Sequence, residues 1–579
     1  MSGNLRKRKA QSHADPDPNR PLKSKGITVH EPGEVEYERA VAVSNLLYRF
    51  TRPICVVQPV TATEVQKVVI SVRCFGLSLT IKNGGHSYSG AALKSTTNTG
   101  VLLDLAKLNK AHLDMEAEIL TVGGGALWGN AYKTLINGRH DGWAINGGRC
   151  PTVGVSGFML GGGIGPFSRG LGMGCDTLTE ITIVTADGEL VTVSERDDTE
   201  SKEGMLFWAL RGGGGGNFGV AVEMKMRVLK LLAEDGMVTA GRYTWFSSPK
   251  HGYRELLQTM NRFYTTNWSD QMTIDSTWYS DTQESQGEIG VRFLVYFDGN
   301  EHDFGKQIQK AALDKGLEKQ LGRRVLQEKS TRFYHETLVA QWDEETVRAF
   351  PSNSTFRLYS SFCFGNNSDT FTTVTTVVKE ELEAFKRLFK GETNCQCQVS
   401  FIHSGGVASR KGRDATAFRW RETVYHAYIM MVWRDKWLER DMRAFLGKFK
   451  DRLKPLSITK QAAFVAFPDA SLADDTYEKA YYGENRIKLQ QVKRLWDKGN
   501  FFNWDQAIKL PRKGGSRRIM EAERITKHYE SEFSDGELAA KRWDNEFDPA
   551  PCEWLTTGGP EGGGPWLYGG PSGSGARLL

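Results

Sequence analysis

Two side chains in this sequence are suited to holding a ligand covalently, and each sits in its own glycine frame. His86 lies within Asn83-Gly84-Gly85-His86-Ser87-Tyr88-Ser89-Gly90. Successive backbone N–H groups in such a run form a concave anion site, and Ser87 and Ser89 add hydroxyl donors. A lone histidine there is more often a hydrogen-bonded structural residue than an anchor. Cys150 changes that balance. It stands within Gly147-Gly148-Arg149-Cys150-Pro151-Thr152-Val153-Gly154-Val155-Ser156-Gly157, ahead of Gly161-Gly162-Gly163-Ile164-Gly165. A cysteine before proline, in a loop that lets a flat ligand approach closely, suits a thioether link. The other seven cysteines (55, 74, 175, 363, 395, 397 and 552) are scattered. Cys395 and Cys397 have the wrong gap for a CxxC pair and no second pair completes a zinc site, so they read as ordinary thiols and no metal is expected.

A further glycine run, Gly214-Gly215-Gly216-Asn217-Phe218-Gly219, matches G-x-G-x-x-G. That motif binds a dinucleotide only when a strand precedes it and a helix follows, so that the helix N-terminus meets the pyrophosphate. Here Leu206-Phe207-Trp208-Ala209-Leu210 is helical in character and Val220–Leu229 reads as a strand. The order is reversed, and the run is read as tight backbone turning, with close approach to a phosphate left open.

The elements that must position these loops are legible in outline. Thr61-Ala62-Thr63-Glu64 is a capping-box pattern, followed by Val65, Val68, Val69 and Val72 on one helical face and Gly76 as a stop. Leu77–Lys82 reads as a strand feeding the His86 loop, with further strands at Val101–Leu105 and Ile119–Val122. Asp187-Gly188 between two β-branched runs is a hairpin signal. Glu203–Leu210 reads as a helix. From about residue 232 to 455 glycine becomes sparse, and strands such as Ile289–Phe297 and Val424–Trp433 alternate with charged amphipathic helices such as Lys379–Phe389. A last unit holds a helix from Asn485 to Trp496, and beyond Pro511 apolar periodicity is lost.

GGHSYSG at 84–90, CPTVGVSG at 150–157 with GGGIG after it, LFWALRGGGGGNFG at 206–219, and Tyr481-Tyr482-Gly483-Glu484-Asn485 with Trp496-Asp497-Lys498-Gly499-Asn500-Phe501-Phe502 occur in this order. Together they resemble the FAD-linked oxidases of the berberine bridge enzyme type, in the vanillyl-alcohol oxidase and p-cresol methylhydroxylase superfamily. The resemblance implies an α+β chain: a two-part FAD-binding domain of the p-cresol methylhydroxylase type, plus a substrate domain whose mixed or antiparallel sheet is covered by helices. Composition gives a disordered basic leader at 1–36, and the resemblance, which spans about 40 to 511, places the FAD domain at 37–231 and the substrate domain at 232–455. A segment at 456–511 then packs back on the FAD domain, while 512–579, which has no counterpart in the family pattern, is expected from its composition to be a mostly disordered tail.

By the same resemblance His86 matches the histidine bonded to the flavin 8-methyl group and Cys150 the cysteine bonded to flavin C6, so a bicovalent FAD is expected. Cofactor contact is further implied for Asn83, Gly84, Gly85, Ser87, Tyr88, Ser89, Gly90, Val153, Gly154, Ser156, Gly157, Gly162, Gly163, Val220 and Asn485. Val153 falls where members that react readily with oxygen carry valine, favouring an oxidase that releases hydrogen peroxide. Aligned on Tyr425 and Trp433, the position of the plant glutamate base is His426. Strand alternation puts Tyr428 and Met430 on its face. An imidazole can take a hydroxyl proton at neutral pH, and packing in a domain interface explains the residue equally well. The tyrosine of the YxNYxD segment is absent, since this chain has Phe464-Val465-Ala466-Phe467-Pro468-Asp469. If a tyrosine assists, Tyr482 or Tyr428 must supply it.

The expected substrate is a secondary-metabolite alcohol or phenolic. The alternatives are an oligosaccharide oxidised at its reducing end, and a catalytically idle flavin-fold binding protein. Net charge is +6 with both signs interspersed, which gives no field for nucleic acid. Arg6-Lys7-Arg8-Lys9 is the exception and reads as part of a solvated leader. The first thirty residues hold no secretory apolar core and no run approaches the ~20 apolar residues of a membrane span. A cytoplasmic monomer is therefore expected, and the sequons at Asn267, Asn353 and Asn366 would matter only in an exported form.

Overall fold

The computed structural model describes residues 22–23, 26–42, 45–91, 100–246, 253–281, 289–311, 313–341, 355–392, 394–473 and 476–511. The basic run at 6–9, Asn353, Cys552 and the whole of 512–579 lie outside the described residues.

The first sheet has four strands, β1 (Thr28–His30), β2 (Cys55–Gln58), β3 (Ser78–Lys82) and β4 (Gly100–Asp104), in the order β1-β2-β4-β3. β2, β4 and β3 run parallel, and β1 is antiparallel to β2. The helix Ala62–Cys74 makes the crossover between β2 and β3. Its Thr61 hydroxyl accepts from the Glu64 amide, and Val65, Val68, Val69 and Val72 are buried against the sheet. The disordered leader expected up to residue 36 is corrected here. Ile27 and Val29 alternate with polar neighbours over a run too short to read as a strand, and β1 forms along the open edge of β2. The helix Val35–Val41 then buries Tyr37, Ala40 and Val41.

A second, antiparallel sheet comprises β5 (Ala111–Asp114), β6 (Ile119–Gly123), β8 (Leu178–Val184), β9 (Leu190–Ser194) and β10 (Val220–Arg227), in the order β5-β6-β10-β8-β9. The hairpin between β8 and β9 turns at Asp187-Gly188 with Gly188 at φ 81°. The short strands β7 (Trp143–Ala144) and β11 (Leu229–Lys230) pair with each other. The helix Lys202–Ala209 precedes the glycine run at 212–216 and β10 follows it, which is the reverse of the dinucleotide order.

The third sheet has seven strands: β12 (Met237–Phe246), β13 (Met272–Asp281), β14 (Gly290–Asp298), β15 (Val325–Lys329), β16 (Phe356–Phe364), β17 (Gln396–His403) and β18 (Tyr425–Trp433). Their order is β15-β12-β14-β13-β17-β18-β16, and all neighbours are antiparallel. Helices Arg254–Thr265, Ser368–Leu388 and Glu439–Leu453 bury one face of it in a large apolar core. The middle helix starts eleven residues before the Lys379 read from the sequence. Its Asn367 cap accepts from the Thr370 amide. The hydroxyls of Thr372, Thr373 and Thr376 bond back to carbonyls one turn earlier, so a β-branched stretch is carried by a buried stripe of Phe371, Val374 and Val378. The other face of this sheet turns toward the glycine loops. No helix among the described residues is long and apolar enough to cross a membrane.

Candidate active site

The two glycine loops meet backbone to backbone. A Cβ on Gly84 would lie 2.6 Å from the Gly154 nitrogen and 2.7 Å from the Thr152 carbonyl oxygen, so only glycine permits the contact. Asn83 pins the junction: its side-chain amide donates to Gly124 O at 2.8 Å and to Ser156 Oγ at 2.9 Å, and Ser156 donates on to Gly124 O. This apposition brings His86 and Cys150 to one point. His86 Nε2 and Cys150 Sγ each lie 3.1 Å from the hydroxyl oxygen of Thr152, hence within twice that distance of one another. Burial lowers the His86 pKa, opposed by its hydrogen bond to the Thr152 backbone.

Tyr88, two residues beyond His86, carries the loop onto the third sheet. Its ring stacks on Tyr359 of β16 at 4.1 Å and on Phe467 at 5.6 Å, and lies 5.7 Å from Tyr428 of β18. The Tyr88 and Tyr428 hydroxyls share a hydrogen bond, and burial raises the Tyr88 phenol well above its usual range. On β18, Tyr425, Ala427, Ile429, Met431 and Trp433 face the helices. By alternation His426, Tyr428 and Met430 share the other face, as the sequence implies. An aromatic row follows along it: Phe467 packs on Tyr428 at 5.0 Å and on Phe464 at 5.2 Å, and Phe464 on His426 at 4.7 Å.

His426 is fully buried. Cys363 Sγ stands 3.7 Å from its Nδ1, and its Nε2 has no partner among the described residues. Burial alone pulls its pKa to about 3, so the ring is neutral at pH 7. This corrects the ordinary imidazole basicity assumed from sequence. Tyr482 is corrected in position: its hydroxyl donates to Gly213 O at 2.9 Å and its ring is enclosed in the core beneath the 212–216 glycine run. Asn485 likewise spends its amide on the backbone, donating to Arg413 O at 2.9 Å and to Thr416 O at 3.3 Å. Val220, first in β10, is buried between the first two sheets.

Other observations suit a large, anionic, planar cofactor along the loops. Among the described residues the amides of Gly84, Gly85, Gly148 and Gly154 have no acceptor. Asn83 Oδ1 is buried without a donor, and Gly157 faces open space. Ser87 and Ser89 place their hydroxyls 3.4 Å apart at the same rim, next to Gly90. Gly162 and Gly163 adopt φ 107° and 75° and hold the second loop against Phe418 and Phe158. Val153 is half-buried behind the Thr152 junction.

The family model for the FAD binding domain matches residues 53–194, and the one described as berberine and berberine like matches 463–509. Berberine bridge enzyme-like 12 of Arabidopsis thaliana is 27% identical over 481 residues, covering 79% of this chain and 84% of that protein. Tetrahydroberberine oxidase of Berberis wilsoniae is 25% identical over 486 residues, covering 79% and 85%. The chain is thus similar to berberine bridge enzyme-like proteins over about four fifths of its length. In fold, the chain superimposes on the berberine bridge enzyme of Eschscholzia californica with a TM-score of 0.72 at 20% identity, covering 86% of this chain and all of that one. A variant of berberine bridge enzyme has been solved with (S)-reticuline, at a TM-score of 0.69 and 19% identity, covering 87% and 100%. This chain is an FAD-dependent oxidoreductase.

Sequence reasoning passed over three residues at this site. Thr152 sits inside the Cys150 motif, where its spacing already hinted at a shared contact. Tyr359 had no local signal, because β16 meets β18 only in the folded sheet. Arg149 was visible beside Cys150, but its partner lies on β13.

Proposed function

We propose that this protein is an oxidase carrying FAD bonded to both His86 and Cys150, which oxidises an aromatic alcohol or phenolic substrate with O2 as electron acceptor. The observation that carries the reading is the convergence of His86 and Cys150, from separate glycine loops, on the Thr152 hydroxyl. When bound, FAD supplies hydride acceptance and subsequent reoxidation by O2 with release of hydrogen peroxide.

The protein's own contribution is placement and proton handling. Asn83, Gly84, Gly85, Ser87, Ser89, Gly90, Gly154, Ser156, Gly157, Gly162 and Gly163 line or brace the loops, and the amides of Gly84, Gly85 and Gly154 suit the cofactor's phosphates. Tyr88, Tyr359, Tyr428 and Phe467 provide flat apolar surface for an aromatic substrate, and the Tyr88–Tyr428 hydroxyl pair orients its oxygen. His426 Nε2, neutral and without a partner, accepts the substrate hydroxyl proton. With its pKa near 3 the imidazole is a far weaker base than the substrate's alkoxide or phenolate, so the transfer must be concerted with departure of the hydride from carbon.

The test begins with acid-precipitated protein. The pellet is expected to stay yellow, with flavin mass on the peptides of both His86 and Cys150; a colourless pellet reduces the claim to non-covalent FAD. Peroxide release is then screened across aromatic alcohols, phenolics and oligosaccharides, and robust turnover of cello- or chito-oligosaccharides alone would overturn the substrate class. His426→Gln is expected to lower kcat by about 100-fold at unchanged flavin content, and Tyr428→Phe chiefly to raise KM.

A further inference from the structure

Arg149 immediately precedes Cys150, and its guanidinium is engaged on several sides at once. Nη1 donates to Ile164 O at 2.9 Å, in the glycine loop 161–165. Nε lies 2.5 Å from Asp275 Oδ2 and Nη2 donates to Asp275 Oδ1 at 3.0 Å, on β13 of the third sheet. The planar face lies 5.4 Å from the Tyr296 ring of β14. Both partners of the ion pair are largely buried, the Asp275 side chain at 5% exposure. Asp275 is fixed in turn, since its Oδ1 also accepts from the His403 amide at 2.9 Å, and the His403 ring takes the Ile274 amide.

A planar guanidinium held by one hydrogen bond and a close charge contact to a carboxylate, and by another hydrogen bond to a carbonyl, has a geometry that a flexible ammonium cannot reproduce. One side chain therefore ties the Cys150 loop and the 161–165 loop to the substrate sheet, at the residue next to the proposed attachment sulfur.

We infer that Arg149 is a positioning residue: clamped by Asp275 and Ile164 O, it holds the Cys150 loop at the one setting in which the sulfur reaches the flavin ring. The inference rests on the proposal that Cys150 bonds FAD. It makes docking of the substrate sheet a precondition for attachment at Cys150, but not at His86, whose loop has no part in the clamp.

The experiment measures, by mass spectrometry of peptides from purified full-length protein, the fraction of Cys150 and of His86 that carries flavin. Arg149→Met and Asp275→Asn are compared with wild type, with Arg149→Lys as the conservative variant and circular dichroism as the check on folding. In Arg149→Met the Cys150 fraction is expected to fall by about 10-fold while the His86 fraction is unchanged. Asp275→Asn, which keeps the shape of the partner, should show the same selective loss, and Arg149→Lys an intermediate one. A purely structural role would lower both fractions together. Folded variants with wild-type Cys150 occupancy overturn the inference alone. Wild-type protein with no flavin on Cys150 overturns the underlying reading as well, before any variant is made. Should Arg149→Met not fold, Asp275→Asn and Arg149→Lys decide the matter by the same two fractions.

Discussion

At the scale of single residues, burial dictates what the site's ionisable groups can do. His426 has its conjugate acid disfavoured by desolvation and by nothing else, so it stays neutral down to about pH 3. In the unfolded chain the same ring titrates near 6.5. Between those values the unfolded state binds a proton that the folded state refuses. Stability is therefore unaffected above pH 6.5 and falls as pH drops through the window, by about 1.4 kcal/mol per unit for this one group. Desolvation lowers His403 and His86 in the same direction. His426→Met is expected to flatten the acid limb by one proton's worth, read from urea midpoints between pH 7 and pH 4.5. An unchanged slope would show that the buried imidazole is not the group being titrated.

At the scale of elements, the helix Arg486–Trp496 shows how the last segment serves the first domain. Lys493 is fully buried, donating to Asn217 O at 2.8 Å and Phe502 O at 2.6 Å and pairing with Asp497 at 2.7 Å. Asp497 also accepts the Phe501 and Phe502 amides, and the Ile508 amide donates to Asn217 Oδ1. Asn217 in turn caps the Gly213 carbonyl, so one ion pair fixes the 212–219 turn from behind. The apparent dinucleotide motif is thus latched from behind through Asn217. Removing one partner of a buried pair leaves an uncompensated charge. Lys493→Met should cost about 3 kcal/mol, measured by chemical denaturation. A loss within error of zero would mean that water reaches Asp497.

At the scale of the whole molecule, distant segments of the chain close the substrate sheet. Strand β16 is an edge strand, and an unprotected edge invites further pairing. Asn45 covers it. Its amide donates to Arg357 O at 3.0 Å and its oxygen accepts the Arg357 amide at 3.0 Å, while Leu46 donates to Thr355 O. Residue 45 thus serves as one rung of a strand on a sheet built from sequence three hundred positions later. Asn45→Ala leaves both backbone groups of Arg357 unmet, and a loss of about 2 kcal/mol is expected, seen as a lower urea midpoint with greater self-association on light scattering. A soluble variant of wild-type stability would remove the edge-capping role.

Much of this was legible locally. Glycine frames, cap residues and apolar spacing act over a few positions, so the loops bearing His86 and Cys150, the helix at 62–74, the hairpin at 187–188 and the face shared by His426 and Tyr428 could be read from the chain itself. The strand at 28–30 could not, because its apolar alternation is limited to Ile27 and Val29 and it forms only along the open edge of β2. The first turns of the 368–388 helix were missed because threonine is a poor helix former until its hydroxyls find backbone carbonyls. The sequence by itself determined which residues can anchor a cofactor and on which kind of loop they stand. Tertiary structure alone decided that the two anchors converge on Thr152, that Tyr359 stacks on Tyr88, that Arg149 finds Asp275, and that His426 is too deeply buried to behave as an ordinary base. Proximity between distant segments, and the desolvation that comes with it, are properties of the packed molecule, and no local pattern encodes them.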